Sequence, residues 1–98
     1  MPNAHPDQLF AQAFGKHARG EVSAAAAQYR DILQVAPQHA DTLHHLGVAC
    51  LQLGDVVEAV TWIERSLASK PNQPKSLSNL GYCLNLLVRH EAALVACS

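Results

Sequence analysis

Apolar residues recur at three- and four-residue steps through most of this chain, interrupted at regular intervals by glycine and proline. Leu43, Leu46, Gly47, Cys50 and Leu53 keep that spacing over 41–53, which places them on one face of an amphipathic helix and predicts that the face is buried. Val56, Ala59, Val60, Ile63 and Leu67 form a second stripe over 56–69. Between the two, Gly54 supplies a left-handed backbone that ends a helix without a Cβ penalty. Asp55 can then cap the next helix, with Glu58 at capping-box spacing. The two stripes therefore predict a helical hairpin, in which the small residues Gly47 and Ala59 let the backbones approach closely. The same reading predicts helices over 7–19 and 22–36 before it, and over 75–87 and about 90–98 after it. Pro71 stops one helix, and Pro74 fits the first turn of the next, where its missing amide proton would have had no partner.

These elements repeat. Gly20 and Gly54, Ala25 and Ala59, Leu33 and Leu67, and Pro37 and Pro71 are each 34 residues apart. A third copy begins in register, because Leu43, Leu46 and Gly47 are answered by Leu77, Leu80 and Gly81, and Ala59 by Ala93. A fixed period of this size marks an array of supersecondary units, each burying its apolar face against the next. The expected fold is all-α, a single domain over 1–98 made of antiparallel helix pairs stacked into a solenoid. Its repeats cover about 6–39, 40–73 and 74–98. Gln12 and Lys16 stand at expected apolar positions of the first helix, which should make it the least stable element. In the third copy Val88 replaces the turn glycine, so that repeat is read as truncated.

The period and its landmarks resemble the tetratricopeptide repeat over nearly the whole chain from Pro6 onward. Repeat two carries Leu43, Leu46, Gly47, Gly54, Ala59, Ile63 and Pro71 at the family's positions, and repeat one carries Leu9, Ala13, Gly20, Ala25, Tyr29 and Pro37. The resemblance implies a right-handed superhelix whose first helices line a concave groove. The groove positions it implies are Asp7, Phe10, Ala11, Phe14 and His17, then Asp41, His44, His45, Val48 and Gln52, then Lys75, Ser78, Asn79, Tyr82 and Asn85. Phe10, Phe14, His44, His45, Val48, Lys75, Asn79 and Tyr82 are the candidate peptide-binding residues. For Phe10, burial at the start of the array competes with exposure in the groove. Aromatic and amide side chains suit an extended peptide, the rings supplying contact area and the amides meeting its backbone. The clamp that some arrays of this family close on a terminal carboxylate finds only Lys75 in place, with Phe10, Phe14, His45 and Asn79 at its other positions.

The expected function is a protein–protein interaction scaffold without catalysis of its own. The alternative is a substrate-presenting segment of a larger enzyme. Asn79 in the run Ser78-Asn79-Leu80-Gly81 matches one rung of the asparagine ladder in arrays preceding O-linked N-acetylglucosamine transferases, and the 41–53 run looks like bacterial arrays of that kind.

Charge and composition narrow the partners. A formal net charge of -1 with interspersed signs offers no footprint for nucleic acid or an anionic membrane surface. No apolar run approaches the ~20 residues of a membrane span, and Met1 to Phe10 lacks the features of a secretory signal, so a cytoplasmic protein is expected. Cys50, Cys83 and Cys97 show no framework spacing and read as small core residues.

No cofactor is implied. Six histidines invite a metal reading, but His44 and His45 are adjacent and diverge around a helix, whereas a helical zinc pair sits three or four residues apart. His17 can approach His44 only across adjacent helices, an adventitious geometry. His17, His44 and His45 would turn cationic below pH ~6.5 and weaken the hold on a basic or apolar peptide. Lastly, Ala92 to Ala96 are apolar with no polar capping helix behind them. That implies self-association through an uncovered C-terminal repeat or continuation in a longer chain, with the residues beyond about Arg89 more mobile.

Overall fold

Two glycines with positive φ set the plan of the molecule. Gly20 (φ 87°) and Gly54 (φ 89°) each close a Schellman turn, in which the amide of the following residue reaches back to the carbonyl that begins the last helical turn. The Glu21 amide bonds Lys16 O at 3.0 Å, and the Asp55 amide bonds Cys50 O at 2.8 Å. A computed structural model describes the backbone of residues 5–97 and the side chains of residues 5–89. It contains α1 (Pro6–Ala18), α2 (Val22–Val35), α3 (Ala40–Gln52), α4 (Val56–Ser69) and α5 (Pro74–Cys97). The second helix of each pair ends on a residue that precedes proline. Lys70 (φ -142°, ψ 94°) lies in the extended region and Ala36 (φ -138°, ψ 72°) beside it, both outside the helical region that a following proline ring disfavours.

Small residues bring each hairpin together. A Cβ on Gly47 would lie 2.5 Å from Ile63 Cγ1 and 3.2 Å from the Ala59 carbonyl, so the α3 and α4 backbones approach as only glycine permits. Ala13, Ala25, Ala26, Ala49 and Ala59 are buried in the same core with Tyr29, Leu46, Cys50, Ile63 and Cys83. Leu53 departs from the stripe expected of it: it forms the C-cap of α3 and is exposed.

The pairs stack in chain order, α2 against α3 and α4 against α5. The α1 backbone comes within 8 Å of α3, and α3 of α5, whereas α2 and α4 stay farther apart among the described residues. First helices that approach while second helices splay put α1, α3 and α5 on the inside of the curve.

The third repeat differs from expectation. Instead of helices over 75–87 and about 90–98, one 24-residue helix runs through the place where the period predicts a turn. Valine at 88 cannot take the left-handed conformation that Gly20 and Gly54 supply without severe steric cost, so nothing stops the helix there. The expected mobility beyond Arg89 lies outside the residues whose side chains are described.

Candidate functional site

The inner face carries a stripe formed by one register position in three successive helices. Phe14 on α1, Val48 on α3 and Tyr82 on α5 are 34 residues apart. Phe14 and Tyr82 are 44% and 55% exposed, too open for core residues of this size, and Val48 is half-buried between them.

Beside the stripe, Phe10 stacks on Phe14 (5.9 Å between ring centroids) and on Tyr29 (5.9 Å). The His45 imidazole meets Phe10 edge-on at 5.1 Å and Phe14 at 5.2 Å, joining α1 to α3 by aromatic contacts. Its Nδ1 bonds the Asp41 carbonyl at 2.9 Å, which makes Nδ1 the protonated nitrogen and leaves Nε2 as an acceptor. Phe10 is thus half-buried, serving both core and groove. Asn79 is half-exposed and Lys75 is exposed on α5.

His44 departs from the expectation of an exposed groove residue. Only 8% of it is accessible, and its Nδ1 lies 2.6 Å from the Ser76 hydroxyl, so it ties α3 to α5. Burial is the main reason its pKa is pushed down to about 4, with His45 adding to the effect. Burial also lowers His45, so neither ring gains its charge at the pH of a free imidazole. Across the adjacent helices the ring that His17 approaches is His45, at 6.4 Å between centroids.

His17 is held by two bonds. Its Nε2 lies 2.6 Å from Gln52 Oε1 and its Nδ1 lies 3.0 Å from the Tyr29 hydroxyl. An amide oxygen can only accept, so Nε2 carries the proton and the phenol donates to Nδ1. Among the described residues no group of three or more His, Cys, Asp and Glu side chains is arranged to hold a metal ion. Burial raises the Cys50 thiol to about 11, which keeps it protonated.

Two features lie outside the sequence reading. His5 and His39 are one period apart and both cap first helices, His5 accepting from the Asp7 amide and His39 from the Thr42 amide. His39 Nε2 then donates to Asp7 Oδ1 at 2.6 Å, linking the repeats and lowering the Asp7 pKa. The signal in the sequence is histidine immediately before two helix starts 34 residues apart. The other is Trp62 on the outer face, whose indole donates to Glu58 at 3.1 Å while Glu58 pairs with Arg30 on α2 at 2.6 Å. Spacing alone shows only the capping role of Glu58.

The sequence pattern of the tetratricopeptide repeat matches residues 17–74, more than half of the chain. The chain belongs to the tetratricopeptide repeat family. Solved structures agree on the fold. A MamA variant superposes with a TM-score of 0.78 at 21% identity, over 91% of this chain and 65% of that one. This tetratricopeptide repeat chain therefore spans just under two thirds of the length of that relative. A tetratricopeptide repeat domain protein from Salinibacter ruber gives 0.68 at 21% identity, covering 81% of this chain and 91% of that one. The globular C-terminal domain of P. aeruginosa LpoP gives 0.66 at 21% identity, covering 82% and 76%. No curated protein sequence matches the chain. Membership makes it a helical repeat scaffold of a kind that binds proteins. Among the described residues no helix is long and apolar enough to cross a membrane.

Proposed function

We propose that this array holds an extended peptide segment of a partner protein in its inner groove, with no catalysis of its own. The observation that carries the reading is the exposure of Phe14 and Tyr82 on either side of half-buried Val48, flanked by the His45 edge and by Asn79. A strand-like segment laid across α1, α3 and α5 would place apolar side chains on Phe14 and Tyr82. Its backbone would meet the Asn79 amide and the free His45 Nε2. Lys75 beside Asp41 gives the groove both signs of charge, which suits a segment of mixed composition rather than a polyanion. Free, buried Cys50 and Cys83 suit a reducing compartment, and we place the protein in the cytoplasm of a bacterium.

Selection of unstructured peptides from a phage-displayed library on the 98-residue chain tests the reading. Phe14→Ala, or Asn79→Ala with Tyr82→Ala, should abolish capture of the selected peptides. Thermal midpoints should stay within a few degrees of the parent, because these side chains are at least partly exposed. Peptides that still bind these variants, or that perturb amide resonances of α2 and α4 instead, would sink it.

Asn79, half-exposed at the family's ladder position, supports a second reading, in which the groove presents substrate to a catalytic domain of a longer protein. The length of the natural reading frame separates the two.

A further inference from the structure

The outer face carries a second candidate surface, between the second helices of the first two hairpins. Arg30, Leu33 and Gln34 of α2, with Pro37 just beyond it, face Trp62 and Arg65 of α4 across a hollow of about 410 Å³. A neighbouring hollow of about 330 Å³, reaching to Ala68 and Ser69, shares Pro37 and Arg65 with it. Both walls lie within the described residues, and neither belongs to the groove helices α1, α3 and α5. Leu33 and Trp62 are half-buried and Pro37 is exposed beside them, so the floor is apolar.

The chain itself shows what the polar part of this surface holds. Glu58 Oε1 takes the Trp62 indole proton at 3.1 Å and meets Arg30 Nη1 at 2.6 Å, so one carboxylate rests on a guanidinium and an indole together. Arg65, one helical turn beyond Trp62, places its guanidinium carbon 5.1 Å from the indole centroid, nearer than Arg30 at 6.0 Å. Arg30 is neutralised by Glu58. Arg65 is exposed, and among the described residues no acid pairs with it. A guanidinium resting on a ring keeps N–H groups at its edge, and a carboxylate matches that edge with two parallel bonds. Two guanidinium groups and one carboxylate leave a positive charge here, in a chain whose formal net charge is -1. We infer that the hollow between α2 and α4 docks an acidic segment of a partner protein: an aspartate or glutamate pairs with Arg65 beside the Trp62 ring, and an adjoining aliphatic side chain packs on Leu33 and Pro37. The exposed Gln34 amide supplies a further donor from the α2 wall. A groove peptide and this segment use different helices, so the array can hold both at once and join two proteins.

Trp62 is the chain's only tryptophan, which makes its indole a reporter of this hollow and not of the groove. A capped peptide with a Leu-Glu-Leu core, titrated to millimolar concentration, should shift the Trp62 indole proton–nitrogen resonance. Its Leu-Gln-Leu counterpart should bind roughly tenfold more weakly, because the charge-assisted pair is lost. Arg65→Gln should cost about as much affinity while leaving the circular dichroism unchanged, since the side chain is exposed. Arg65→Lys, which keeps the charge without the fork, should fall between the two. Phe14→Ala should not alter this binding, which separates it from capture in the groove. An indole resonance that the acidic peptide does not move overturns the proposal, as do equal affinities for the two peptides or an Arg65→Gln variant that binds like the parent. Loss of binding in Phe14→Ala overturns it too, by placing the peptide in the groove. So does tighter binding of a capped phosphoserine peptide, which would make the surface a phosphate site.

Discussion

Gly47→Leu is expected to cost about 3 kcal/mol, the upper part of the usual range for overpacking a helix contact. Even a methyl group there would sit 2.5 Å from Ile63 Cγ1, and Ile63 is fully buried and cannot swing into solvent. The Ala59 carbonyl at 3.2 Å closes the other side, so relief requires the α3 and α4 backbones to separate. For a domain of this size the thermal midpoint should fall by about 10–20 °C. The same change at Gly81, one period on, should leave the midpoint within a few degrees, since among the described residues nothing lies within 4 Å of its Cβ direction. Thermal denaturation of the two variants side by side decides the matter. Equal losses would mean that the third repeat is closed like the second, and no loss at Gly47 would mean that the hairpin packing is wrong.

Mild acid should destabilise the array before its carboxylates begin to protonate. His44 has a folded pKa of about 4 against an ordinary value of 6.5, and burial beside Ser76 is the cause. Between those values the unfolded chain binds a proton that the folded chain does not, so stability is complete above about pH 6.5 and falls as pH drops towards 4. His45, lowered by burial as well, acts in the same direction, and Asp41 and Lys75 are the neighbouring charges that modulate both rings. The expected loss across this window is about 2–3 kcal/mol, since each pH unit separating the folded and unfolded pKa contributes about 1.4 kcal/mol and solvent screening removes part of it. At lower pH Glu58 takes over. Its bond to Arg30 holds its pKa at about 2 when folded, so its contribution disappears only below about 4.5. Urea midpoints measured from about pH 7.5 to about 4.5 should fall steadily for the parent, and His44→Gln should flatten the slope. A parent curve that is level over that range would show that His44 is not buried as a neutral ring.

Most of the scaffold is readable in the sequence because each landmark has a local cause. Gly54 is expected to turn left-handed and Pro71 to end a helix, and both do so, as do Gly20 and Pro37 at the same places in the repeat before. The third hairpin departs from the reading where the landmark itself is missing, because the absence of a turn glycine at Val88 decides the backbone more firmly than the repeat register does. In the groove, register position foretells the exposure of Phe14 and Tyr82. It cannot foretell the burial of His44, which depends on the Ser76 hydroxyl arriving from another helix. Long-range polar partners of that kind, like Asp7 for His39 or Glu58 for Arg30, leave no periodic trace.

The two joints of the array are braced unequally. Between the first and second hairpins the inner side is strapped by His39 to Asp7 and by His17 to Gln52, and the outer side by Arg30 to Glu58. Between α3–α4 and α5, the His44–Ser76 bond spans the inner side, and the Gln73 amide just before α5 donates to the Ser66 carbonyl of α4 at 2.8 Å. Among the described residues no ion pair crosses this second joint, so it is braced by neutral bonds where the first relies in part on charge. Added salt should therefore loosen the first joint of the array more than the second.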